Sequence, residues 1–185
     1  RVRDEALHTF LTLKAPDAEQ IVISALEDPD DKVQWRATAA LTELAPLSDS
    51  SVAKIIQIIK TEIPEEEEAA AQHSRKVCNI IRTLGNVINI KSIQAIEESI
   101  LEIAQMINGR KKGILKRLKK SSSPHHTAIL SAAIATLGKI GTTNSEAFLK
   151  KVAGAKTAQA EAASKAIESI RQRYAKQKDA APATS

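Results

Sequence analysis

The stretch PEEEE, Pro64–Glu68, sets four carboxylates in a row and is the first place in this chain to look for a divalent cation. Oxygen-donor sites need several convergent ligands. His73 lies seven residues beyond Glu66, and no second histidine follows it at helical spacing. Proline at a helix start, with acids in the first turn complementing the helix dipole, explains the same residues as an ordinary N-terminus. His125 and His126 are adjacent, so on a helix they diverge by roughly 100° and cannot share one ion comfortably. They follow SSSP, which reads as a loop and a cap. Cys78 is the single cysteine, which rules out an internal disulfide and a multi-cysteine metal cage. Its place in KVCNII predicts a structural helix thiol. No nucleophile–base arrangement accompanies any of these residues. We therefore expect no catalytic residue, no metal, no cofactor and no enzyme.

The basic segment RKKGILKRLKK carries more. It holds seven cations in eleven residues: Arg110, Lys111, Lys112, Lys116, Arg117, Lys119 and Lys120. Ile114, Leu115 and Leu118 form a narrow apolar edge. Such a segment could clamp an anionic membrane surface, a nucleic acid or an acidic protein. It could equally be a packed helix whose lysines face water, and the echo of ILKRL in FLKKV supports that placement. Both readings can hold together. Nucleic acid is the weaker target, because only four aromatic residues are available for stacking.

These residues must be positioned by helices. Hydrophobic residues make up 43% of the 185, enough for a buried core, yet that core is built of Ala, Leu, Ile and Val. No stretch alternates apolar and polar residues as a strand would, so the chain reads as all helical. No run approaches the roughly 18 apolar residues of a membrane span. Charge is divided: residues 1–70 hold 7 Lys/Arg against 15 Asp/Glu, while residues 71–185 hold 20 against 7. One end is acidic and the other basic. The opening RVRDEAL has neither methionine nor a signal-peptide pattern, and we expect a piece of a longer protein in a reducing, cytoplasmic setting.

Two phrases, TLGNV at 83–87 and TLGKI at 136–140, each close a helix-like stretch. The stripe Val33, Ala37, Ala40, Leu41 and Leu44 follows a 3.6-residue period. It recurs as Val2, Ala6, Phe10 and Leu13; as Ile80, Leu84 and Val87; as Ile129, Ala133, Thr136, Leu137 and Ile140; and as Ala163, Ala166, Ile167 and Ile170. The anchors Phe10, Leu41, Leu84, Leu137 and Ile167 are separated by steps of 31, 43, 53 and 30. A partner helix precedes each of the last four. Periods of about 20 to 50 residues are those of helical repeat arrays. Gly85 and Gly138 are placed either for close helix approach or for helix termination.

On DPDDKVQWRATAALTEL and SSSPHHTAILSAAIATLGKIG the chain resembles the HEAT-repeat family, in the short form of phycocyanin-lyase-type proteins. The resemblance covers residues 1 to about 176. It implies an α-solenoid of about five helix pairs in a right-handed superhelix, irregular over 62–110, with an extra helix at about 92–107 and a disordered tail at 177–185. In HEAT arrays the second helix of each pair lines the concave wall. The resemblance thus places Asp4, His8, Trp35, Thr38, Arg82 and Lys165 on that wall, with Cys78, Ser131, Ala135 and Glu161 at corresponding positions. Trp35 points away from the core stripe, either as a partner's anchor or as a cover for the neighbouring repeat. The function implied is a non-catalytic scaffold that binds another protein, or another domain of its own chain, along the concave face. Nucleic-acid or anionic-surface binding through 110–120 is the alternative, and a bilin-lyase-like activity ranks third.

Overall fold

A computed structural model of the chain describes residues 2–12, 17–44, 46–86, 90–110 and 123–180, with the side chains of Asp4, 90–92, Arg110 and 178–180 excepted. Nine α-helices and no strand occur among the described residues: α1 Val2–Thr12, α2 Ala18–Ala25, α3 Asp31–Glu43, α4 Asp49–Lys60, α5 Glu67–Leu84, α6 Ile90–Arg110, α7 Pro124–Ile140, α8 Thr143–Ala153 and α9 Ala160–Ala180. The expected all-α class is what the chain adopts.

Local chemistry sets the helix starts. Asp30 precedes α3 and accepts from the Lys32 amide at 2.9 Å, while Asp28 accepts from the Asp30 amide at 2.8 Å. Ser48, Ser123 and Thr142 cap α4, α7 and α8 through their hydroxyls. Each cap satisfies an amide that has no partner within its own helix. Pro124 occupies the first turn of α7. The PEEEE segment differs in register from the expectation. The helix begins at Glu67, so Glu67 and Glu68 form its acidic first turn and Pro64 precedes it.

Packing arranges the helices in two rows. In the first, α1 packs on α3, α3 on α5, α5 on α7 and α7 on α9; in the second, α2 packs on α4, α4 on α6 and α6 on α8. Consecutive helices join the rows pairwise, α2 with α3, α4 with α5, α6 with α7 and α8 with α9. The helix expected as an addition, α6, stands in the second row between α4 and α8 and packs against α7. One apolar core runs from Leu7 to Ile170, with Leu41, Ile80, Leu84, Ile134, Leu137 and Leu149 fully buried. Four of the five predicted stripes face it in their described residues; Val87, and Leu13 of the remaining stripe, lie outside the described residues.

The first stripe does not. Val2 is 82% and Phe10 40% exposed, and Leu7 is the buried residue of α1, with Leu11 packed partly against the core. At the end of its row α1 packs chiefly on α2 and α3 among the described residues. The face holding Leu7 and Leu11 meets them, and the face holding Val2, Ala6 and Phe10 is left outside. At the other end, α9 continues through Ala180, past the boundary expected at 176. The Lys, Gln and Ala of that stretch are good helix formers, so an established helix propagates through it.

The repeated TLG phrase acts at the contacts within the first row. A Cβ on Gly138 would lie 3.0 Å from both Cα and Cβ of Ala166 in α9. One on Gly85 would lie 3.1 Å from Thr136 Cγ2 in α7. Thr136 itself donates to the Ile81 carbonyl at 3.0 Å, a buried link from α7 to α5. Glycine is therefore used here for close approach.

Two carboxylates tie the second row together. In α2, Glu19 accepts from the amide and hydroxyl of Ser48 at 2.7 and 2.9 Å, at the start of α4. In α6, the buried Glu97 accepts from the amide and hydroxyl of Thr142 at 2.7 and 3.0 Å and from Ser145 at 2.5 Å, at the start of α8. Each places a carboxylate at a helix N-terminus, where backbone amides and the helix dipole favour negative charge.

Candidate partner-binding face

On α3 the residues Val33, Ala37, Ala40 and Leu41 turn to the core. Trp35, two positions after Val33, falls roughly 200° round the helix and is 65% exposed. It borders a groove of about 190 Å³ between α3 and α5, lined also by Asp31, Gln34, Gln72, Arg75, Lys76 and Asn79. The Gln72 side-chain amide donates to Asp31 Oδ1 at 2.8 Å, so the two helices are joined at one end of the groove. An exposed indole thus lies against a polar wall whose α5 side carries two cations.

The expected wall residues divide. Trp35, His8, Arg82 and Lys165 are exposed. Lys165 is engaged with Glu161 at 2.6 Å, one turn earlier on α9; that hydrogen bond and charge raise the lysine's pKa and lower the glutamate's. Thr38 is 6% exposed and its hydroxyl donates to the Gln34 carbonyl at 2.8 Å, and it lines the inner side of the same groove beside Trp35. Cys78 is likewise buried. Burial pushes its thiol pKa up, partly offset by the Arg82 charge and a hydrogen bond with Ser74, which suits a structural thiol. The Asp4 side chain, the Arg110 side chain and Lys111, Lys112, Lys116, Arg117, Lys119 and Lys120 lie outside the described residues.

Sequence reasoning missed Gln72, Arg75, Lys76 and Asn79. The signal was present: counting back from Arg82 in steps of three and four gives Asn79, Arg75, Gln72 and Glu68 along one helix face. Placing Cys78 on the wall shifted that count by one residue.

The histidines part as their adjacency requires. His125 Nε2 reaches Glu67 Oε1 at 3.1 Å, joining α7 to the acidic start of α5. His126 instead lines a cleft shared with His73. Among the described residues no group of three or more His, Cys, Asp or Glu side chains converges as metal donors, and no helix is long and apolar enough to cross a membrane. A scan of protein-family models and a search of curated proteins each gave no match.

Proposed function

We propose that the chain is a HEAT-like α-solenoid serving as a non-catalytic interaction module, with the outer face of the first row as its binding wall. The two-row packing order, the single core from Leu7 to Ile170 and the glycine-mediated approaches between first-row helices support that architecture. Stacked pairs bury a continuous core, so a wall built on them is rigid before a partner arrives.

The observation that carries the binding reading is the exposed Trp35 beside the α5 cations Arg75 and Lys76. Indole supplies a large apolar anchor at small entropic cost, and the cations fit carboxylates. The partner is then an extended acidic segment with one bulky apolar side chain seated on Trp35. Trp35 is the only tryptophan, so its emission reports occupancy directly. A panel of acidic peptides, with and without a central Phe or Leu, should blue-shift that emission only when the bulky residue is present. Arg75→Ala with Lys76→Ala should weaken binding about tenfold or more, as expected for lost charge-assisted bonds. Unchanged emission across the panel at millimolar peptide would remove the reading.

Seven cations within 110–120 favour a second reading, binding of nucleic acid or an anionic surface. Titration against duplex DNA and anionic vesicles at several salt concentrations separates the two. Steeply salt-dependent binding that is lost on neutralising Lys116, Arg117, Lys119 and Lys120 selects the second reading, and absence of binding at low salt discards it.

A further inference from the structure

Helices α1 and α3 match position by position. The step of 31 residues from Phe10 to Leu41 also carries Val2 to Val33, Ala6 to Ala37 and Leu7 to Thr38. Thr38 lies on the side of α3 that faces α5, because it lines the groove between those helices. Leu7 is the buried residue of α1, and α1 packs on α3. Arg3, one step before Gln34, reaches Asp28 just ahead of α3 at 2.9 Å. Gln34 likewise lies on the α5 side of α3. Thus α1 stands to α3 as α3 stands to α5.

The matching positions differ in what covers them. Val33, Ala37 and Leu41 are buried in the core, whereas Val2, Ala6 and Phe10 are exposed. The core around the α3 stripe includes Val22, Ile23 and Leu26, from α2 and its end, and α2 packs on α3. In the same way α4 backs α5, α6 backs α7 and α8 backs α9. Among the described first-row helices, α1 alone has no second-row helix before it. The other end of the array contrasts with this one. There the exposed face of α9 carries Glu168, Ser169, Gln172 and Lys176, the polar kind of surface that closes a helical array.

We propose that Val2, Ala6 and Phe10 form a docking site for an amphipathic α-helix of a partner protein, seated in the second row beside α2. The chemistry of the occupant follows from α2, the helix that fills the equivalent place on α3. Its inward face carries branched aliphatic residues at the spacing of Val22, Ile23 and Leu26, and its outward face is polar, as at Gln20 and Ser24. Phe10 supplies the large anchor, and Ala6 lets the incoming helix approach closely. The site extends the second row by one member, and that continuity selects a helix as the occupant. A second copy offers no apolar helix face from its α9 end. The site is independent of the Trp35 wall, because Trp35 points away from the core stripe and its groove takes an acidic segment.

The probe is a peptide copying residues 17–28, DAEQIVISALED. A covalent bridge between the positions of Gln20 and Ser24 holds it helical, because so short a helix is marginal alone. Added to the full chain, it should slow amide exchange in α1 about tenfold and leave α5 and α7 unchanged. The same peptide with Val22→Ser, Ile23→Ser and Leu26→Ser should protect nothing. Ala6→Arg in the chain puts a charge on an exposed position of the face and should abolish the protection. Unchanged exchange in α1 at millimolar peptide, or equal slowing by the serine peptide, overturns the proposal. So does sedimentation showing a dimer of the chain alone that Ala6→Arg dissolves, since a second copy then occupies the face. Both peptides are read on the unmodified chain, so the test stands even where Ala6→Arg does not fold.

Discussion

Glu97 is the residue whose removal should be felt most. Its buried carboxylate serves three donors at the start of α8, and Glu97→Ala leaves those groups without a partner in the protein interior. Bonds to charged groups contribute about 1.5–3 kcal/mol, and orphaned buried donors add to the loss. We expect Glu97→Ala to lower unfolding free energy by about 3 kcal/mol, read from urea denaturation, with Glu97→Gln costing less because an acceptor remains. Glu19, nearer the surface, supplies a pH test. Burial opposes its charge, but hydrogen bonds from Ser51 and Ser48 outweigh that and hold its pKa below 4.5. A carboxylate depressed on folding stabilises fully above its unfolded pKa, and that contribution disappears as pH falls through the folded value. The stability of the parent chain should therefore drop as pH falls below about 4.5, and Glu19→Gln should flatten that part of the profile. An unchanged profile would show that the clasp does not discriminate the charged form.

At the scale of elements, the contact between α7 and α9 is set by a missing methyl group. Gly138→Ala gains helix propensity of about 1 kcal/mol, yet the new Cβ meets the Ala166 backbone at 3.0 Å. Forced overpacking costs about 1–3 kcal/mol, so the net change should be a loss, visible as a lower urea midpoint; a higher midpoint would mean that α9 moves aside freely. The sequence made this contact half legible. TLG occurs at the right end of α5 and of α7, but close approach and termination predict the same letters, and only the position of Ala166 separates them. Periodicity located the buried faces of α3, α5, α7 and α9 because each has neighbours on both sides or a partner helix behind it. It failed at α1, where the 3.6-residue rule permits Val2–Ala6–Phe10 as readily as Leu7–Leu11, and the choice depends on which neighbours exist. The Trp35 ridge was legible, whereas its α5 counterpart needed the helix phase to one residue. The role of buried Glu97 was invisible for a different reason: its partners Thr142 and Ser145 come from another part of the chain.

For the molecule as a whole, the rows imply a gradient of stability. The central helices α5 and α7 pack on neighbours in both directions, whereas α1 packs only inward and leaves Phe10 in solvent. Segments with few buried apolar contacts open first. Amide hydrogen exchange should be fastest in α1 and slowest in α5 and α7; uniform protection from α1 to α9 would indicate a single cooperative unit instead. The two glutamate clasps bear on how such a chain can grow. Each runs from one second-row helix to the cap of the following one, so donor and acceptor sit at opposite borders of a single two-helix module. A recombination event copying from Glu19 to Ser51, or from Glu97 to Ser145, would carry lock and key together. One that spliced in a solitary helix would strand a carboxylate, and lengthening by whole modules is the route that the architecture leaves open.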